Sequence, residues 1–284
     1  MAICEQTENV LEMEDRIKRE TKDMTPEERR KVNKTVNREI LHIYSKGTHF
    51  NLDADQQTLL GDYDAKYVLA FYQSGTKFGY CYFDMSTLNF YMGSFKDDFT
   101  LKQFRTLIMQ IRPVEFICTT GAAEHTNIHA QETLKILRNC PSPPVATTFA
   151  YKDASEADQM LKRYFLSDQA KWPEAILKAL KGEAKIALGL SIIFLDKLLL
   201  ADTSIPIASF EWSEGVDGSF AGRPASMLID AQAIEHLDIL PPYFGSRVRK
   251  ADGSLFSFLS QGSSTAFGKR MLKRWTVSPL YDVA

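Results

Sequence analysis

The spacing of apolar residues changes character along the chain. Between residues 68 and 149 they come in short dense runs of strand length. Residues 68–72 read as one strand, and 78–84 (F-G-Y-C-Y-F-D) as a second that turns through Met85-Ser86-Thr87 into a third over 88–95. Leu101, Phe104, Leu107, Ile108 and Ile111 then recur at helical intervals, and Pro113 opens another strand, 114–118. A helix near 127–138, the turn Pro141-Ser142-Pro143-Pro144, a strand at 145–149 and a helix that buries Ala157, Met160, Leu161, Tyr164 and Phe165 complete the series. A meander followed by alternating helices and strands predicts an α/β layer with a mixed sheet.

From Trp172 onward the period is helical. Ile176, Leu177 and Leu180 make a short stripe, and 186–200 is apolar nearly all round, as expected of a helix enclosed on every side. A polar, glycine-containing stretch follows at 211–224. The final segment, 265–280, reads T-A-F-G-K-R-M-L-K-R-W-T-V-S-P-L. At about 100° per residue, Phe267, Met271, Leu272 and Trp275 share one arc, and Lys269, Arg270, Lys273 and Arg274 fill the opposite one. Thr265 is placed to cap this helix and Pro279 to stop it. Only four residues follow Leu280, so the partner surface for the apolar arc is expected from chain beyond this sequence. At the other end, residues 5–38 are dense in charge and read as a solvated helix face or linker. Residues 36–44 alternate apolar and polar, as a strand does, and Ser45-Lys46-Gly47-Thr48 follows as a turn.

Composition narrows the field. The 284 residues, 44% hydrophobic and 11% aromatic, are enough for about two ordinary domains with real cores. A net charge of -2 gives no global nucleic-acid signature, so any such contact is local. Cys4, Cys81, Cys118 and Cys140 are far apart and form no C-x-x-C, which reads as buried free thiols in a reducing compartment. The first residues lack the apolar core of a signal peptide, and the longest apolar run, 186–195, is too short to span a bilayer. An intracellular soluble chain is expected.

Few stretches invite chemistry. Residues 262–270 resemble a phosphate loop, but five residues separate its glycines, and Arg270 stands where a Ser or Thr must reach Mg²⁺. His125 and His129 share a helix face without a third ligand or the H-E-x-x-H glutamate, and read as surface histidines. No G-x-S-x-G or Cys-His context supports nucleophilic catalysis. The basic face of the last helix can bind phosphates, but an exposed face or an interdomain contact is preferred.

Several motifs together carry a resemblance. Thr265, Gly268, Arg270, Met271, Leu272, Trp275, Pro279 and Leu280 match the opening of the core domain of MutS-type DNA mismatch-repair proteins, with Ala266 where Pro is usual. Glu5-Gln6-Thr7, Arg38-Glu39-Ile40 and Ser45-Lys46-Gly47-Thr48 are similar to the tail of that family's mismatch-binding domain, and the Lys in the last is closer to the eukaryotic homologue six branch. The run F-G-Y-C-Y-F-D-M-S-T-L-N-F-Y-M-G-S-F fits the opening hairpin of the connector domain. Residues 227–239 resemble a further family motif, departing at Ala233, His236 and Asp238, and 253–265 another, with unusual Gln261 and Gly262.

The resemblance implies a ribonuclease-H-like connector, a mixed sheet with flanking helices, followed by the start of an all-α core/lever domain. It implies a remnant of the mismatch-binding domain at 1–49, the connector at 50–205 and the beginning of the core at 206–284. Function would be DNA mismatch repair, this part being the non-catalytic connector and core of a mismatched-DNA-binding, ATP-dependent protein. ATP and Mg²⁺ would belong to the full-length DNA-dependent ATPase, with none bound here, and no residue of this chain is assigned a catalytic, cofactor-binding or metal role. Partners would be mismatched double-stranded DNA, a second MutS homologue in a heterodimer and a MutL-like protein, in the nucleus and away from membranes. The F-x-E element with which such proteins read mispairs is absent from these 284 residues. The alternatives are a truncated paralogue serving only as a protein-interaction scaffold, and a ribonuclease-H-like nuclease built on Asp84. A two-metal nuclease needs several converging carboxylates, and the later strands offer only Glu115, so Asp84 is expected to cap its hairpin turn.

Overall fold

A computed structural model describes residues 2–22, 24–26, 32–48, 65–119, 128–140, 144–149, 154–165, 173–180, 182–213, 226–241, 253–263 and 265–280. The chain begins with a hairpin-like pair, β1 (Ala2–Gln6) and β2 (Arg38–Ile43), antiparallel, with helix α1 (Val10–Thr21) between them. Asn9 and Glu12 form a reciprocal capping box: the Glu12 amide donates to the Asn9 side chain at 2.9 Å and the Asn9 amide to the Glu12 carboxyl at 2.8 Å. This helix buries no residue, so within the charge-dense segment Val10–Thr21 is a solvated helix.

The six-stranded sheet is built from β3 (Tyr67–Ser74), β4 (Lys77–Asp84), β5 (Asn89–Lys96), β6 (Glu115–Thr119), β7 (Val145–Phe149) and β8 (Ser209–Ser213), in the spatial order β7-β6-β3-β4-β5-β8. The first three strands form the antiparallel meander. β6 then lies parallel to β3, β7 to β6 and β8 to β5, so only β4 runs against the rest. Helices α2 (Lys102–Ile111) and α3 (Ile128–Arg138) follow β5 and β6. After β7 come α4 (Ala154–Tyr164), α5 (Glu174–Ala179), α6 (Ala184–Lys197) and the single turn α7 (Ala201–Ser204). Beyond β8 the described elements are helical: α8 (Ala231–His236), α9 (Leu255–Ser260) and α10 (Ala266–Val277). This is the ribonuclease-H-like arrangement followed by helices.

Both faces of the sheet are covered, which is why its strands read as nearly continuous apolar runs. Because side chains alternate, Val68, Ala70, Cys81, Phe83, Phe90 and Met92 pack on the α4–α6 side, while Leu69, Phe71, Phe78, Tyr80 and Phe95 pack on the α2–α3 side. Helix α6 has buried positions all round, and its start approaches β4 backbone to backbone at Gly79. A Cβ at Gly79 would stand 2.1 Å from the Glu183 carbonyl carbon and 2.2 Å from the Ala184 nitrogen, so only glycine admits the helix there. The α2–α3 face is completed from far along the chain by Ile234 of α8, Phe256 of α9 and Val277 of α10.

Strand β8 was not foreseen. Phe210-Glu211-Trp212 alternates for only three residues between serines, too few to register as a strand, and it forms because β5 offers an open edge.

Candidate functional site

The described residues offer two seams where the flanking segments join the sheet. At the first, the end of β2 reaches the C-terminus of α6. The Ile43 amide donates to the Leu198 carbonyl at 3.0 Å, and Nδ1 of His42 sits 3.2 Å from the Leu199 carbonyl. The turn 45–48 then closes on itself, with the Ser45 amide donating to Thr48 Oγ1 at 2.8 Å. Its anchor is Glu115, the first residue of β6 and 2% exposed. Glu115 Oε2 accepts from Ser45 Oγ at 2.6 Å and from the Gly47 amide at 3.1 Å, while Oε1 accepts from Thr147 Oγ1 of β7 at 3.1 Å. A buried carboxyl is tolerated when its lone pairs are filled in this way. Gly47 is required by contact: a Cβ there would lie 2.3 Å from Val68 Cγ2.

At the second seam the helices after β8 meet α2 and the sheet. The Ala231 amide donates to Thr106 Oγ1 at 3.1 Å, and the Arg112 guanidinium donates to the Pro241 carbonyl. The Leu255 and Phe256 amides donate to the Asp238 and Ile239 carbonyls at 2.9 and 3.0 Å. Asp230, Ser254 and Thr265 cap α8, α9 and α10 with their side-chain oxygens. Across from α10, Tyr67, Tyr82 and Tyr91 form a cluster, Tyr82 stacking on Tyr91 with ring centroids 4.9 Å apart and meeting Tyr67 edge-on at 5.3 Å. The Arg274 guanidinium stands over the Tyr91 ring, 5.7 Å from its centroid. Burial pushes the Tyr67 hydroxyl up to about 12 and raises the Glu211 carboxyl, which Arg274 partly offsets.

The basic arc of α10 is therefore divided. Arg270, Lys273 and Arg274 line the space against the tyrosines. The apolar arc stays largely exposed: Phe267, Met271 and Trp275 are 74%, 48% and 59% exposed, Met271 and Trp275 border the same space, and Leu272 is half-buried. Asp84 closes its turn by accepting the Ser86 amide and hydroxyl, each at 2.8 Å. In the phosphate-loop lookalike, Gly268 lies in the first turn of α10, its amide bonded to Thr265 Oγ1 at 3.3 Å. His125 and the side chain of His129 lie outside the described residues. Cys81, Cys118 and Cys140 are buried and Cys4 is exposed, and none of the four is in a disulfide. Among the described residues no three His, Cys, Asp or Glu side chains gather to hold a metal, and no helix is long and apolar enough to cross a membrane. Sequence reasoning missed the role of Glu115, because its partners lie 70 and 68 residues upstream and 32 downstream. The Ser45-Lys46-Gly47-Thr48 motif was the only available sign of that seam.

Comparison with known proteins agrees with this architecture. Residues 66–189 match the profile of MutS domain II. The chain is 29% identical to the DNA mismatch repair protein MSH6 of Arabidopsis thaliana over 93% of its length, and 28% identical to Msh6 of Gallus gallus over 99%. Human Msh6 is 28% identical over 88% of the chain. The chain spans 22% of the length of the first two relatives and 20% of the third. With the domain II match lying on the six-stranded sheet and the likeness to Msh6 proteins running through both seams, the chain carries a MutS domain II and is similar to Msh6 proteins over most of its length.

Proposed function

We propose that this chain is the joint of a DNA mismatch-repair protein, through which a DNA-reading part before it and a core after it act on one another. The supporting observation is a pair of neighbouring residues at the start of β3. Val68 packs on Gly47 of the incoming segment, and Tyr67, on the opposite face, lines the space beneath α10. A shift at either seam is thus one peptide unit from the other. The partition at 1–49, 50–205 and 206–284 is proposed on the same footing, with β8 contributed to the connector's sheet from beyond residue 205.

In a longer protein of this kind the partners would be mismatched double-stranded DNA, a second MutS homologue in a heterodimer and a MutL-like protein, at work in the nucleus. ATP with Mg²⁺ would be held by another part of that protein, and this part would transmit rather than catalyse. The largely exposed apolar stripe of α10 would then carry further helices of the core.

The test is a replacement. The matching segment of the Arabidopsis thaliana relative is exchanged for this chain, and the mutation rate of a reporter gene is measured in plants lacking that relative. A rate restored toward normal is expected. A chimera that accumulates normally yet leaves the rate at the deficient level would overturn the proposal.

A further inference from the structure

Between α10 and the tyrosine-bearing face of the sheet lies a cavity of about 350 Å³, a volume suited to a small ligand. Its described walls include Arg270, Lys273, Arg274, Tyr67, Tyr82 and Gln110, and no carboxylate. Two of its groups are donors in need of an acceptor. Arg270 Nε and Gln110 Nε2 are buried and have no hydrogen-bond partner among the described residues. Buried donors of this kind are rare in native folds, and two lining one cavity ask for a shared acceptor. The phenols add to the demand. Burial lifts the Tyr67 hydroxyl to about 12 and the Tyr82 hydroxyl well above its ordinary value, so both remain O–H donors at neutral pH. Arg270 and Arg274 are near enough to Tyr67 to draw its titration back down in part, which places both cations at this wall.

We propose that this cavity binds a small oxyanion of the phosphate type, received by Arg270 Nε–H and Gln110 Nε2–H and balanced by the charges of Lys273 and Arg274. An oxyanion offers several lone pairs within one compact group, which matches donors converging from a helix, a second helix and a sheet. The inference stands on the cavity alone and is independent of the repair role proposed above.

Isothermal titration of the 284-residue chain with inorganic phosphate, against chloride at matched ionic strength, tests it. Saturable binding at one site is expected, weakened about tenfold or more in Arg270→Lys and in Gln110→Leu. Gln110→Leu also removes a donor that lacks an acceptor, so in phosphate-free buffer its melting temperature should rise while its phosphate affinity falls. A purely structural residue would not move those two readouts in opposite directions. Titration with adenosine monophosphate separates the sources: tighter binding than phosphate identifies a nucleotide with its base against the tyrosines, and equal binding identifies the phosphate group alone. Absence of saturable binding to the unaltered chain, as when water fills the space, overturns the proposal, and so does unchanged affinity in Gln110→Leu.

Discussion

Replacing Glu115 with Ala should open the first seam. The buried Gly47 amide loses its carboxylate acceptor, and an orphaned buried donor costs about 1–3 kcal/mol. The hydroxyls of Ser45 and Thr147 are half-buried and can turn to other acceptors, so their lost bonds count for about 0.5–1 kcal/mol each. Removing the side-chain methylene adds roughly 1 kcal/mol. The sum is about 3–6 kcal/mol, large against the roughly 5–15 kcal/mol by which domains are stable.

Glu115→Gln is the control. Its amide oxygen can serve Ser45 Oγ and the Gly47 amide while its NH₂ donates to Thr147 Oγ1, so a cost near 1 kcal/mol is expected. Urea unfolding gives the global figures, and amide hydrogen exchange at Gly47 reads the seam itself. Exchange there should accelerate by about a hundredfold in the Ala variant, at 1.4 kcal/mol per factor of ten. An Ala variant within about 1 kcal/mol of the parent, or a Gln variant as damaged as Ala, would refute the latch.

Other expectations follow from contacts of the same kind. Gly79→Ala pushes a methyl into the backbone of the first turn of α6 and should lower stability by about 2–3 kcal/mol or prevent folding; a neutral result in thermal unfolding would mean that α6 is not seated there. Asp97→Ala removes the carboxyl that accepts the Phe104 amide at 2.9 Å and the Gln103 amide at 3.3 Å, and should cost about 1–2 kcal/mol in urea unfolding, partly recovered in Asp97→Asn. Burial pushes the Cys81 thiol from 9.0 to about 12, so the folded state holds that proton longer than the unfolded state. Its contribution is complete below pH 9.0 and lost as pH rises toward about 12, so stability should begin to fall near pH 9 in the parent and later in Cys81→Ala, and parallel urea midpoints from pH 7 to 11 would contradict this. Finally, a double-mutant cycle between Glu115→Gln and Arg274→Ala should show coupling above about 0.5 kcal/mol although the side chains belong to different seams, whereas additivity would mean that β3 does not transmit.

Much of the fold was legible because burial on both faces leaves a strong mark in sequence. Strands β3 to β7 and helices α2 to α6 appear as apolar runs or stripes within a few residues of their observed ends, and the sheet they make needs no unusual local chemistry. What escaped had no local signature. Helix α2 takes its N-terminal cap from Asp97, at the end of the preceding strand, because Leu101 at the capping position has no oxygen to offer. Glu115 reads as one acid before an apolar strand, and only the fold brings Ser45, Gly47 and Thr147 to it.

The last helix shows the limit in another way. An amphipathic pattern defines two arcs but not which one faces the protein, and the usual expectation would turn Phe267, Met271 and Trp275 inward. Here the inward surface is a cluster of tyrosines, whose ring faces attract guanidinium groups and whose hydroxyls need partners, so Arg274 and Arg270 are the better neighbours. The apolar arc stays largely exposed, with Met271 and Trp275 at the border of the same space. That division explains why α10 has so few buried positions of its own, Val277 alone falling fully within the core. A helix whose cations meet the tyrosines while Phe267, Met271 and Trp275 stay largely exposed is suited to lie between two bodies, as the joint proposed above would require.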